Sequence, residues 1–337
     1  MKKEIVTGIM SYGMSGKVFH APFINAHPGF KLYAITERSK KEAEKDYPGI
    51  LSYNTIDEII DDPAIELIII NTPNYTHYDY ASRSLRAGKD ILVEKPFTAT
   101  SVEAKELFAL ADELGRKIFF YQNRRWDSDF TSVRNVIESG QLGKLNEVHF
   151  RYDRYRVAIG AKTFKEEPIA ASGLMYDLGP HLLDQAISIF GKPESFHKII
   201  GRNRPDTKVD DYFSIHLAYP NSVNVFVHSN LLLLDPLPAF VLHGANGSFH
   251  KQRSDSQEEQ LLKGMKLDEP GYGIEAEGAE GKLTLIDASG NKTVTAVPSL
   301  EGNYLSLFDA VYESIVNDAA YYVTREQVLT QLEILEA

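Results

Sequence analysis

Residues 4–16 read Glu4-Ile5-Val6-Thr7-Gly8-Ile9-Met10-Ser11-Tyr12-Gly13-Met14-Ser15-Gly16. A short, mostly apolar run gives way to small residues, the pattern of a buried strand turning sharply into a helix. That is the context of the dinucleotide fingerprint G-x-G-x-x-G. This chain offers Ser11-x-Gly13-x-x-Gly16, with serine where the first glycine makes the tight turn. Gly13 stands where backbone must approach a pyrophosphate, and Gly16 where helix packs on strand. Ser11, Tyr12, Gly13 and Met14 are therefore the expected contacts to cofactor phosphates. An ordinary strand-to-helix turn shows two such glycines as well, so the reading depends on the residues further along the chain.

A second apolar run, 30–36, ends at Glu37-Arg38. It lies about 20 residues past the glycines, where the fingerprint expects an acid for the ribose hydroxyls. Glu37 in that role favours NAD and repels a 2′-phosphate. Arg38 offers the opposite choice, pairing with the phosphate of NADP or stacking on adenine. The balance tips towards NAD.

The alternation continues. Residues 51–52 and 56–60 give a short strand and helix, and 65–70 is a continuous apolar run, as for a strand buried on both faces. Thr72-Pro73-Asn74 comes directly after it, then a helix over 78–87 closed by Gly88. Residues 90–93 form another buried strand ending in Glu94-Lys95-Pro96; 101–114 is a helix and 117–121 a sixth strand. Six such units predict a doubly wound, mostly parallel sheet of the Rossmann type over residues 1–122. Ligands bind at the carboxyl ends of such strands, and Ser11, Glu37, Thr72, Lys95 and Asn123 all fall there.

The remainder, 123–337, reads as an α/β substrate-binding and oligomerisation domain with a large, mostly antiparallel open sheet. Residues 127–139 are helical. Strands are expected over 147–156, 194–201, 211–219, 222–233, 239–243, 247–251, 282–287 and 292–296, with helices over 304–316 and 325–335 that pack back near the first domain. Residues 253–272 are polar and Gly-interrupted, as in a surface excursion. Within this domain, 171–184 carries Asp177, His181 and Asp184 at i, i+4 and i+7, which a helix projects to one side. Gly179-Pro180 suggests a helix entrance over 176–180 and a body over 181–190, because Pro suits a first turn. A capped helix with a satisfied core histidine is the plainer reading of that segment.

Composition sets bounds. The 337 residues are 43% hydrophobic and 25% charged, which is ordinary for a globular protein. The net charge of −11 argues against nucleic acid as a partner. No apolar run approaches the roughly 20 residues of a membrane span. Cysteine is absent, so disulfide and thiolate chemistry are excluded. With no signal-peptide pattern, a cytoplasmic protein is expected.

Hydride transfer at a dinucleotide crevice needs a hydride acceptor, a base for the substrate's proton and a group that holds the reacting atom in line. His181 is the natural base, its ordinary pKa being about 6.5. Lys95, following a buried strand and preceding Pro96, can hydrogen-bond the reacting oxygen and stabilise developing alkoxide. Asp177 can accept from a neighbouring substrate hydroxyl and hold His181 or Lys95. Arg124, Arg125 and Trp126 open the second domain beside the crevice, Arg125 as a substrate contact and Trp126 and Asn123 as cofactor contacts. A metal on Asp177, His181 and Asp184 is disfavoured, since an inward Lys95 competes with it as a cation.

Four stretches carry a resemblance: 12–22, Val93-Glu94-Lys95-Pro96, Asn123-Arg124-Arg125-Trp126-Asp127 and Tyr176-Asp177-Leu178-Gly179-Pro180-His181. Together they resemble the Gfo/Idh/MocA oxidoreductases, and most of all the scyllo-inositol dehydrogenase-like branch. The resemblance implies NAD or NADP as cofactor, a secondary hydroxyl of a sugar, inositol or related polyol as substrate, and Lys95, Asp177 and His181 as the active site. It also implies that Thr72, Pro73, Asn74, His77 and Glu94 lie along the cofactor, with Asn74 and His77 at the nicotinamide end, and that the chain forms a homodimer or homotetramer through the C-terminal sheet. Ser11 departs from the family's usual glycine. The rival reading is a dinucleotide-sensing regulator without turnover, to which a proton shuttle is of no use.

Overall fold

The computed structural model describes residues 3–160, 163–254 and 256–337. The chain divides into two compact units. The first holds the residues up to Asn123 together with Gln260–Pro270 and Tyr304–Arg325; the second holds Arg124–Glu259, Gly271–Asn303 and Glu326–Ala337.

The first unit is built on six parallel strands: β1 (Ile5–Ile9), β2 (Phe30–Thr36), β3 (Leu51–Tyr53), β4 (Leu67–Ile70), β5 (Asp90–Val93) and β6 (Ile118–Phe120). Their order is β3-β2-β1-β4-β5-β6, the doubly wound order. Between them run α1 (Ala21–Ala26), α2 (Ala43–Asp46), α3 (Ile56–Asp61), α4 (His77–Arg86) and α5 (Ser101–Leu114). Every residue of β4 is buried, as expected of a strand with helices on both faces. Local chemistry sets the helix limits. Thr55 with Glu58 and Thr100 with Glu103 form capping boxes that start α3 and α5, and Gly115, at φ 61°, ends α5. The chain reverses direction across the sheet between β1 and β4, so their carboxyl ends open the crevice in which such sheets bind ligands.

The second unit contains β7 (Leu145–Arg151), β8 (Ser195–Gly201), β9 (Tyr212–Tyr219), β10 (Val223–Asn230), β11 (Phe240–Gly244), β12 (Gly247–Lys251), β13 (Gly281–Ile286) and β14 (Lys292–Val297). Their order is β14-β13-β12-β11-β7-β10-β9-β8, and all neighbours are antiparallel except β7 and β10. Its helices are α6 (Ser128–Glu138), α7 (Thr163–Glu166) and α8 (Gly173–Phe190), with the first part of α9 (Ser256–Leu262). Period-2 alternation buries Phe213, Ile215, Leu217, Val225 and Val227 completely on one face, and α8 lies across that face over β7, β9 and β10. On the other face, Phe226 is sandwiched between His149 and His216, with ring centroids 4.9 and 4.7 Å away.

Of the last two helices, α10 (Leu305–Asn317) belongs to the first unit, where Phe308 stacks on Phe23 at 5.4 Å. Nearly all of α11 (Arg325–Glu336) belongs to the second. The polar stretch 253–272 is not a featureless excursion. It contains α9, whose buried Gln257 donates to the carbonyl of Trp126 at 3.1 Å and accepts from Tyr272 Oη at 3.2 Å. Asp255 lies outside the described residues. No described helix is long and apolar enough to cross a membrane.

Candidate active site

In the first unit, β1 runs into the turn at 11–16. Ser11 Oγ accepts the Gly13 N–H at 3.3 Å, so the serine closes the turn with its own side chain. A Cβ on Gly16 would lie 2.1 Å from the carbonyl oxygen of Ser11, which makes glycine obligatory there. Asn71, at the end of β4, donates to that same carbonyl at 2.9 Å and to Ser15 Oγ at 3.2 Å. Its buried Oδ1 has no protein partner among the described residues. Asn71 thus shapes the turn from 60 residues away, with no local signal to mark it. Gly13 and Met14 remain exposed. An open glycine turn at a helix entrance, flanked by an orphaned polar atom, fits a dinucleotide pyrophosphate.

Several expected cofactor contacts have other engagements. Tyr12 Oη donates to Asp46 at 2.6 Å, and burial followed by that carboxylate raises its pKa well above the ordinary tyrosine range. Glu37 is buried, and both its oxygens accept donors from its own unit. Arg38 is exposed beside it. His77 is the first residue of α4 and fully buried, with Nδ1 2.8 Å from the Pro96 carbonyl and Nε2 2.9 Å from the Thr72 carbonyl. Burial lowers its pKa, against the two carbonyls. It ties the loop after β4 to the loop after β5. Thr72 Oγ1 meets Thr76 Oγ1 at 2.6 Å, and Thr76 donates to the Pro73 carbonyl, so Pro73 and Asn74 sit in a closed turn.

Lys95 emerges half-buried from the end of β5 and precedes a cis Pro96. Its own N–H donates to Glu94 Oε2 at 3.2 Å, while Glu94 Oε1 lies 2.9 Å from His20 Nε2. Burial would raise the Glu94 carboxyl, but the His20 bond and the charges of His20 and Lys95 outweigh it and hold it low. Asn123 is buried and starts the turn Asn123–Trp126.

In the second unit, α8 begins at Gly173, not at 176–180, and passes through Pro180. The reason lies outside the segment. Ala171 and Gly173 have φ of 57° and 85°, which turns the chain into the helix, and Asp210 then caps it. The Asp210 carbonyl accepts the Leu174 N–H at 3.0 Å and its Oδ2 accepts the Met175 N–H at 2.6 Å. Gln331 donates to the Pro180 carbonyl at 2.8 Å. Asp177 is half-buried and ion-paired with Lys165 of α7. His181, one turn further on, is only 6% exposed. Asp184 is held by Arg125, which also donates to Gln327 Oε1 at 3.0 Å. Arg125, expected at the substrate, therefore has its guanidinium committed inside the unit. Trp126 presents its carbonyl to Gln257 and to the Asn303 N–H.

Comparison with known proteins agrees with this architecture. Residues 5–122 match the family model described as "Oxidoreductase family, NAD-binding Rossmann fold", and residues 134–337 the one described as "Oxidoreductase family, C-terminal alpha/beta domain". The scyllo-inositol 2-dehydrogenase (NADP(+)) IolW of Bacillus subtilis is 35% identical over 99% of this chain and 92% of its own length. An uncharacterized oxidoreductase of Schizosaccharomyces pombe is 38% identical over 99% of this chain and 96% of its own. The crystal structure of a Bacillus cereus oxidoreductase superposes with a TM-score of 0.91 at 34% identity, covering 98% of this chain and 95% of that one. With a Rossmann unit, an α/β unit and matches along nearly its whole length, the chain belongs to the Gfo/Idh/MocA family of oxidoreductases.

Proposed function

We propose that the protein transfers a hydride between a secondary hydroxyl of a polyol, an inositol or a sugar and a nicotinamide dinucleotide. The observation that carries this reading is the placement of Asp177 and His181 one turn apart on α8, while Asp184, the third ionisable group of the series, is consumed by Arg125. The activity in the name of the Bacillus subtilis relative supports the substrate class.

The chemistry divides among residues of this chain. His181 takes the proton of the reacting hydroxyl at an imidazole nitrogen when the alcohol is oxidised, and returns it when the ketone is reduced. Lys95 donates a hydrogen bond to that oxygen and favours its anionic character. Asp177 accepts from an adjacent hydroxyl, which sets the orientation of the ring, and its pairing with Lys165 holds it in place. A bound nicotinamide supplies the hydride acceptor. Glu94 and His77 position the loop that bears Lys95.

We also infer that two or more copies associate through the face of the second sheet that carries His149, Phe226 and His216. Ile199 and Val294, 51% and 58% exposed, extend that face with apolar surface. Light scattering after gel filtration would return the monomer mass if this is wrong.

The test of function is absorbance at the reduced-nicotinamide band with a panel of inositols and aldoses and either cofactor. Turnover with at least one polyol is expected. Tight cofactor binding with no turnover on any of them would favour a sensor.

A further inference from the structure

The stretch 12–22 contains a histidine to which the proposed reaction gives no task. Gly16–His20 winds as a single turn of π-helix between the glycine turn and α1, a geometry found frequently at functional sites. His20 closes that turn and is fully buried. Its ring centroid lies 4.4 Å from that of Tyr121 and 6.4 Å from that of Phe308 of α10. Tyr121 donates its hydroxyl hydrogen to the Phe19 carbonyl at 2.9 Å.

One polar contact leaves these aromatic surroundings. His20 Nε2 lies 2.9 Å from Glu94 Oε1, whereas His20 Nδ1 is buried with no hydrogen-bond partner among the described residues. The imidazole therefore serves Glu94 alone. Because the Glu94 carboxyl is held low despite its burial, it is an ionised acceptor, and Nε2 supplies the hydrogen. With its other oxygen Glu94 accepts the Lys95 N–H at 3.2 Å. Besides His20, the titratable groups that act on Glu94 are Lys95 and His77 at the start of α4. His77 is bonded to the Pro96 and Thr72 carbonyls, and burial drives it towards its neutral form. Lys95 is the neighbour whose charge Glu94 balances. The attraction is mutual, so an ionised Glu94 opposes release of the Lys95 proton.

We propose that His20 is a positioning residue for the reaction: it keeps Glu94 ionised and oriented, and Glu94 keeps the Lys95 ammonium protonated and able to donate to the reacting oxygen. Residues 20, 94 and 95 all belong to the first unit. Without the imidazole, burial favours the neutral acid of Glu94, and Lys95 loses the negative charge beside it. Lys95 then gives up its proton at lower pH. The consequence for turnover rests on the proposed role of Lys95, but the relay from His20 to Lys95 does not.

The test is the titration of Lys95 itself, read by brief acetic anhydride labelling of the full chain across a pH series and peptide mass spectrometry. It needs neither cofactor nor substrate. His20→Phe keeps an aromatic ring in place and removes the donor. In that variant the Lys95 midpoint should fall by about one pH unit, the low end of the effect of a nearby opposite charge. His20→Gln, which keeps an N–H donor on its side-chain amide, should stay within about 0.3 unit of the wild type. Glu94→Gln should lower the midpoint at least as far as His20→Phe. Adding His20→Phe to Glu94→Gln should move it no further, because the two groups act in series. A lower melting temperature in His20→Phe with an unmoved Lys95 midpoint would make His20 a packing residue and overturn the proposal. An unmoved midpoint in Glu94→Gln overturns it as well, and does so whether or not His20→Phe folds. A full additional shift in the double variant has the same effect. With a polyol that turns over, the alkaline limb of kcat should move together with the labelling midpoint. A limb that stays in place while the midpoint moves counts against Lys95 at the reacting oxygen and leaves the relay standing.

Discussion

Arg125 donates Nε–H to Asp184 Oδ2 and an NH2 hydrogen to Asp184 Oδ1, each at 2.7 Å, with both side chains buried. Such a fork joins the start of the second unit to the middle of α8. Removing one partner of a buried pair strands the other charge, at a cost of about 3–5 kcal/mol. Arg125→Ala should therefore lower the unfolding free energy in urea by that amount, and Arg125→Met with Asp184→Leu should recover most of the loss. If Arg125→Ala denatures like the wild type and changes only the KM for substrate, Arg125 is a substrate ligand after all.

Lys95 and His181 are expected to be separable from cofactor binding. Each alanine variant should lose turnover by at least about 100-fold, the lower range for loss of general acid–base help. Dinucleotide affinity should stay within about 3-fold in His181→Ala, which lies in the other unit from the glycine turn. Pre-steady-state and calorimetric measurements distinguish the two quantities. Near-normal rates in both variants would end the proposed mechanism.

The sequence is most legible where the code is local and periodic. The buried run 67–70 is β4, and the alternation over 212–219 is β9 with every second residue buried. Lys95, Asp177 and His181 can be proposed from the sequence because strand ends and helical spacing are local features. Partners distant in sequence cannot. Asn71 reaching Ser11, Asp210 capping α8, and Lys165 meeting Asp177 have no periodicity that would announce them. Glu37 and His77 likewise have hydrogen-bond partners within their own unit that no local pattern announces.

Asp210 tests that long-range cap. Its carboxyl is raised above the ordinary range by burial, against the Met175 N–H it accepts. Asp210→Ala leaves an orphan donor at the start of α8 and should cost about 1–2 kcal/mol, typical of a lost cap. Because that helix carries Asp177 and His181, kcat should drop more than KM rises. Asp210→Asn, which keeps an acceptor oxygen, should restore most of both. Equal loss in the two variants would show that the negative charge matters and the cap geometry does not.

Asp153 gives a pH prediction with a definite sign. Its side chain is 2% exposed and burial pushes its pKa up to about 6, in spite of the Arg151 and Arg253 charges. His228 Nε2 lies 3.5 Å away, and burial, then the charges of Arg151 and His149, bring that imidazole down to about 4. A carboxyl whose folded pKa lies above its unfolded one stabilises the fold fully below about pH 4, and loses that contribution as pH rises through 6. His228 acts in the opposite direction: its contribution is complete above about pH 6.5 and is lost as pH falls towards 4. Asp153→Asn removes the first effect and keeps the second. The variant should gain about 1 kcal/mol relative to wild type between pH 5 and pH 8, the worth of the roughly one pH unit of Asp153 titration in that span. In melting temperature this is a relative rise of about 2–4 °C. Parallel pH profiles for the two proteins would mean that Asp153 titrates like an exposed aspartate and that burial does not hold its proton.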